Sequence, residues 1–345
     1  MINITDFGEH RGQRVVRYTL ENAHGTRLSV LNFAGIVQEF SVLDGDERVN
    51  LVLSSDDFDK LIADYNINRV IGRTAGRIRD GRWQQNGHEI ITPPNENGHS
   101  LHGGAQGVGE QFFDVEVAEN ADVLTLTRTQ TPEIDGFPGI LAMTVQYELT
   151  ADDQVKVTFT GAQSQADGVF NPTVHTYFNL ADNGVEDVLT HDLWLNSTQH
   201  LAVDADKVPT GEILANANTP FDLQSQSDLG VVLPQMRAQT REGGFDDVFV
   251  VEPSLTQPVA TLTDRASKRR VSIYSDRNAA VVFTASQLDA TVVKGLNRGD
   301  GHPWLAVAIE AQNLPDSQHH SDFVVVTLLQ DERVSHTIIY AYDKI

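Results

Sequence analysis

Gln154-Val155-Lys156-Val157-Thr158-Phe159-Thr160 alternates apolar and polar residues with a period of two. On an extended chain Val155, Val157 and Phe159 fall on one face and Lys156 and Thr158 on the other, the pattern of a half-buried antiparallel strand. The same alternation recurs on both sides of it, in Val123-Leu124-Thr125-Leu126-Thr127, in Met143-Thr144-Val145-Gln146-Tyr147-Glu148-Leu149 and in Arg270-Val271-Ser272-Ile273-Tyr274-Ser275. Phe323 to Leu329 is apolar almost throughout and predicts a strand covered on both faces. Asp44-Gly45, Asn86-Gly87, Asp135-Gly136, Asn183-Gly184 and Asp300-Gly301 can supply the positive φ that tight turns require. Helical periodicity is best in Asp56 to Tyr65, where Ser54 or Ser55 can cap and Phe58, Leu61 and Ile62 share a face. The polar run 224–244 reads as a long loop or short helix. Many strands, frequent turns and few helices predict an all-β chain, a large antiparallel β sandwich. With no composition break, linker or internal repeat, residues 1–345 read as a single domain.

Composition removes several classes of function. Lys and Arg total 25 against 48 Asp and Glu, a formal net charge of −23. Such a chain repels phosphate backbones and anionic lipid, so neither nucleic acid nor a membrane surface is an expected partner. The absence of cysteine excludes disulfides, thiolate nucleophiles, zinc–sulfur sites and iron–sulfur clusters together. The first ten residues lack a basic stretch followed by an apolar one, and no apolar run approaches bilayer length. The expectation is a cytoplasmic protein.

Twelve histidines offer several candidate sites. His319 and His320 are adjacent, and neighbours on an extended chain point to opposite sides, which suits a single metal ion poorly. His102 precedes paired glycines in Leu101-His102-Gly103-Gly104, where the missing side chains let a ligand approach the backbone; a plain turn would look the same. In Asn171-Pro172-Thr173-Val174-His175-Thr176-Tyr177-Phe178-Asn179-Leu180, an extended chain puts Asn171, Thr173, His175 and Tyr177 on one polar and aromatic face. A satisfied buried histidine fits that segment equally. Glu310 intrudes into the apolar strand Trp304-Leu305-Ala306-Val307-Ala308-Ile309-Glu310-Ala311-Gln312, and a buried carboxylate is either paired or functional. Asp246 offers a second acid in Gly243-Gly244-Phe245-Asp246-Asp247.

Taken together, these segments resemble the aldose 1-epimerase (galactose mutarotase) family, in family order over nearly the whole chain. Gly72-Arg73-Thr74-Ala75-Gly76-Arg77-Ile78 is similar to its G-R-x-x-N-R-I, Leu101 to Gly104 to its L-H-G-G, and Asn171 to Leu180 to its N-x-T-x-H-x-Y-F-N-L. Pro209-Thr210-Gly211 and Pro220-Phe221-Asp222 match shorter signposts, Gly244-Phe245-Asp246 fits G-x-D, and Glu310, Gln312, Pro315 and Asp316 fit E-x-Q-x-x-P-D. The resemblance implies a β supersandwich with a sugar in an open cleft and no cofactor or metal. It implies Glu310 as general base, His175 as general acid, His102 as a second histidine beside the ring oxygen, and Arg77 and Asp246 as holders of sugar hydroxyls. Gly76 departs from the usual Asn, Asp247 stands where His is common, and Val281 occupies a place that is polar in some members.

Anomer exchange suits such residues. Opening a pyranose ring removes a proton from the anomeric hydroxyl and adds one to the ring oxygen, which a carboxylate and an imidazolium can do near neutral pH. Galactose or glucose would be the substrate, or alternatively maltose or a hexose phosphate. A phosphate would want a basic cluster such as Arg265, Lys268, Arg269 and Arg270 near the cleft. A non-catalytic carbohydrate-binding protein should lack one of His175 and Glu310. A glycoside hydrolase built on Glu310 and Asp246 would leave the histidines unexplained.

Overall fold

The computed structural model describes residues 2–63, 65–117, 122–181, 186–290, 293–296 and 299–345; the expected Asn183-Gly184 turn lies outside them. Two antiparallel sheets carry the architecture. The larger has eight strands in the order Asp114–Val117, Val123–Gln130, Ile140–Leu149, Gln154–Ser164, Arg333–Lys344, Arg269–Ser275, Ala260–Asp264 and His191–Leu195. The second has six, in the order Tyr177–Phe178, Val307–Gln312, Ala279–Phe283, Asp246–Val250, Gln199–Val203 and Pro209–Ala215. A five-stranded antiparallel sheet from Asn3–His10 to Glu47–Asn50 precedes both.

The alternation that predicts strands also decides what they bury. Val155, Val157 and Phe159 lie in the core while Lys156 and Thr158 stay partly exposed. From the six-stranded sheet, Phe249, Val282 and Ile309 join the same apolar cluster as Val145, Val157 and Phe159 of the eight-stranded one. Each such side chain contributes about 1.5–3 kcal/mol on burial, so the facing sheets, rather than the few helices, hold the fold together. The opposite face of the six-stranded sheet is left for other work.

Local readings hold where turn chemistry is explicit. Asn86 and Gly87 both have positive φ, 52° and 78°, and close a two-residue hairpin between Arg82–Gln85 and His88–Ile91. The helix expected over Asp56 to Tyr65 is a single turn, Phe58–Leu61, capped by the Asp57 side chain rather than a serine. Ser55 instead accepts from the Asp57 N–H. In 224–244 a helix forms over Leu229–Gln239, with Asp228 as its cap. Phe323 to Leu329 is not a covered strand: only Thr327–Leu328 pairs, with Gly168–Val169, and Val324 and Val325 are 50% and 72% exposed. A continuous apolar run carries no period, so it cannot tell a covered strand from a segment anchored only at intervals, here by Phe323 beside Leu201 and Leu314, by Val326 in the cluster of Phe137 and Val169, and by Leu328 in the main core. Among the described residues no helix is long and apolar enough to cross a membrane.

Candidate active site

Two short ladders carry the histidines to the six-stranded sheet. Ser100 pairs with Ile78 and Leu101 with Arg77, so the Leu101-His102-Gly103-Gly104 segment lies directly on Gly72 to Ile78. His102 N donates to Gly76 O at 3.0 Å, and Gly76 N donates to His102 Nδ1 at 3.2 Å. Gly103 is required here. Its φ is +84°, and a Cβ would sit 1.9 Å from the Gly72 carbonyl oxygen. Because Nδ1 accepts, the His102 hydrogen resides on Nε2, which makes that nitrogen a donor rather than a lone pair for a cation.

The second ladder pairs Thr173 with Ile71 and Val174 with Val70, and Tyr177 with Ala308 a few residues on. Asn171 Nδ2 donates to Asn313 O at 3.0 Å while its Oδ1 accepts from Asn313 N at 2.9 Å, and Thr173 Oγ1 donates to Ala311 O at 2.9 Å. The Asn171 and Thr173 side chains thus fasten the end of the strand Val307–Gln312, which carries Glu310. The shared polar face read from sequence is therefore interior: Asn171, Thr173, His175 and Tyr177 are all buried. His175 stacks on Tyr177, with ring centroids 4.9 Å apart and planes 16° from parallel.

The floor comes from the free face of the six-stranded sheet. Glu310 pairs with Val281, Val281 with Val248, and Asp246 with Phe283. Period two then puts Glu310, Gln312, Val281, Phe283, Val248 and Asp246 on one side, and all six line a cleft of about 410 Å³. His175 Nε2 lies 3.3 Å from Glu310 Oε1. The His102 and His175 rings meet edge to face, with centroids 5.4 Å apart. His102, His175 and Glu310 could in principle hold a cation, their nearest ligand atoms lying within 4.8 Å of one another, but the tautomer of His102 suits a hydroxylated organic ligand better.

Burial sets the proton inventory. Loss of water pushes Glu310 up to about 8, reinforced by the Asp246 charge and opposed by Arg77. It pushes His175 down to about 4 and His102 well below its usual value, the latter helped by His175 and Arg77. At neutral pH the empty Glu310–His175 pair therefore holds one proton, on the carboxyl. Asp246 is also raised, chiefly by burial, and its carboxylate makes no hydrogen bond to another described residue. Arg77 Nε donates to Glu96 Oε2 at 2.6 Å, which leaves its terminal nitrogens open to a ligand. Unpaired donors and acceptors beside the apolar side chains of Val248, Val281 and Phe283 suit a small hydroxylated ligand.

All five residues expected from sequence, Arg77, His102, His175, Asp246 and Glu310, line this one cleft. Gly76 leaves no vacancy: a Cβ there would lie 2.6 Å from Pro315 Cβ. The basic cluster is elsewhere, with Arg265 on Asp192 and Asp228, Arg269 on Asp44 and Arg270 on Asp343. His319 ends a tight helical turn, Ser317–His319, and His320 follows it, so the two are not neighbours on an extended chain and both converge on Asp316, at 2.7 and 3.6 Å. Sequence reading missed Glu96, Phe283, Lys207 and Glu242 as cleft residues; each is an ordinary residue brought in by tertiary structure, with no local signal.

The sequence model described as aldose 1-epimerase matches residues 16–341. A maltose epimerase from Levilactobacillus brevis is 39% identical over 344 residues, covering 96% of each chain. An aldose 1-epimerase from Streptococcus thermophilus is 32% identical, covering 95% of this chain and 94% of its own. The crystal structure of a galactose 1-epimerase from Lactobacillus acidophilus superposes with a TM-score of 0.85 at 24% identity, covering 100% of this chain and 99% of the other, and so shares the fold.

Proposed function

The chain belongs to the aldose 1-epimerase family and is an isomerase, and from that premise we propose that Glu310 and His175 exchange the α and β anomers of free aldoses by opening and reclosing the pyranose ring. The observation that carries the assignment is the 3.3 Å approach of His175 Nε2 to Glu310 Oε1 on the wall of an open cleft. We take residues 1–345 to act as one domain, in the cytoplasm.

In the empty site the shared proton rests on Glu310. A bound sugar reverses that preference: the anomeric hydroxyl donates to the carboxylate and the ring oxygen accepts from Nε2–H, and each hydrogen bond favours the charged form of its partner. Glu310 then removes the proton from the anomeric oxygen as the bond from C1 to the ring oxygen breaks. His175 delivers its proton to the departing ring oxygen. Rotation about C1–C2 presents the other face of the aldehyde, and the two transfers run backwards to close the ring. Arg77 and Asp246 hold the remaining hydroxyls meanwhile, and the Nε2–H of His102 supports the ring-oxygen side.

Polarimetry on freshly dissolved α-glucose, α-galactose and maltose tests this reading. A rotation that reaches equilibrium faster with enzyme, without release of monosaccharide from maltose, supports it. An unchanged rate on all three sugars contradicts it. Maltose belongs in the set because the 39% identical relative covering 96% of this chain is named a maltose epimerase. His102→Asn is expected to slow turnover by roughly tenfold, less than loss of either proton carrier, because the shorter amide misplaces a donor and no transferred proton is lost. An undiminished kcat in that variant would make His102 a bystander.

A further inference from the structure

The sheet register limits how much of the cleft one ring can fill. Glu310 faces Val281 across one ladder, Val281 faces Val248 across the next, and Asp246 stands two residues before Val248. Two inter-strand spacings, from Glu310 to Val248, amount to about 9.6 Å; with a hydrogen bond at each end that leaves room for one hexopyranose, its reactive edge at Glu310 and its opposite edge toward Asp246. The cleft continues beyond Asp246 to Val203, Ala205, Lys207 and Glu242.

Lys207 is fixed in place there before any ligand arrives. Its loop is folded over Asp204, whose Oδ1 accepts from Asp206 N at 3.0 Å and Val208 N at 3.1 Å. Arg79 holds the same loop from outside, Nη1 on Asp204 Oδ2 and Nη2 on Pro209 O, both at 2.9 Å. Lys207 Nζ lies 3.2 Å from Glu242 Oε2 and 3.7 Å from Asp247 Oδ1, with its side chain 14% exposed. An ammonium has three donors, and these two ion pairs, at 3.2 and 3.7 Å, leave at least one of them for a ligand. Two carboxylates and a braced loop have already removed the rotamer freedom that a surface lysine would lose on binding. Asp247, one of the departures from the family pattern, thereby has a physical role as an anchor for Lys207.

We propose that the stretch of cleft beyond Asp246 is a subsite for a second hexosyl unit, carried on the edge of the reacting ring opposite its anomeric carbon, and that Lys207 is its specificity-determining donor. The inference rests on the anomer-exchange reading and adds the substrate class: 4-linked reducing disaccharides.

The test compares kcat/KM for maltose with kcat/KM for glucose, by polarimetry, in the wild type and in Lys207→Met, Lys207→Arg and Ala205→Trp. Lys207→Met is expected to lower the maltose-to-glucose ratio roughly tenfold, through KM. Lys207→Arg should keep most of the ratio, and Ala205→Trp, which fills the subsite without touching the Lys207 pairings, should lower it in the same direction. A ratio unchanged in both Lys207→Met and Ala205→Trp, including an equal loss on both sugars, overturns the subsite. A wild type inactive on glucose and maltose alike overturns the underlying reading instead, since glucose needs only the reactive pair.

Discussion

Glu310→Gln is expected to lower kcat for anomer exchange by roughly 10³-fold or more while leaving a folded protein. The amide keeps the shape of the carboxyl but cannot take a proton from the anomeric hydroxyl, so ring opening loses its base. Stability should not suffer. Glu310 is buried and held near 8, so the empty wild type already carries a neutral group there at pH 7. The linkage has a definite sign. A carboxyl raised from 4.5 to about 8 in the folded state contributes stability that is complete below about 4.5 and lost as pH rises through 8. Glutamine has no such dependence, so the Tm of the variant relative to wild type should rise between pH 5 and pH 8. Thermal unfolding at several pH values checks the stability and polarimetry checks the rate; a variant with near wild-type kcat removes Glu310 from the chemistry.

His175→Asn carries the second largest effect, again a fall in kcat of roughly 10³-fold. Asparagine can still donate a hydrogen bond to the ring oxygen, but it has no proton to release near neutral pH. KM should move far less than kcat, because the lost proton transfer occurs only in the transition state. The stability signature runs opposite to that of Glu310. A histidine depressed from 6.5 to about 4 resists protonation in the folded state, so its contribution is present above 6.5 and lost as pH falls through 4. The variant should lose that acid sensitivity. It should also lose some packing, since the imidazole stacks on Tyr177. A folded His175→Asn protein with intact kcat would transfer the acid role elsewhere.

What the sequence made legible follows from how each feature is encoded. Alternating strands such as Gln154–Ser164 are readable because burial of one sheet face imposes the period directly on neighbouring residues. The functional segments are readable because each is contiguous and keeps its own register: Leu101 on Arg77, Thr173 on Ile71, Glu310 opposite Val281. Their ordered resemblance to one family pointed to Arg77, His102, His175, Asp246 and Glu310, which all line the cleft. That they converge is a tertiary fact, set by ladders joining strands far apart in the chain. The rim was not legible for the same reason, since Lys207 and Glu242 are unremarkable until the fold sets the Lys207 ammonium between the Glu242 and Asp247 carboxylates. The apolar run from Phe323 misled because hydrophobicity without a period does not say which side is covered, and Val325 ends up 72% exposed.

The central claim is that one proton, shared by Glu310 and His175, moves the sugar between anomers. The pH profile of kcat/KM, followed by polarimetry on glucose, tests it most directly, because that parameter titrates the free enzyme. The pair should be active while it holds a single proton. Activity should fall below about pH 4, where His175 gains a second proton and no base remains, and above about pH 8, where Glu310 loses the only one and no acid remains. A bell with its plateau between those limits is the predicted result. A profile with a single limb, or one still climbing past pH 9, would mean that the two side chains do not share the proton that does the work.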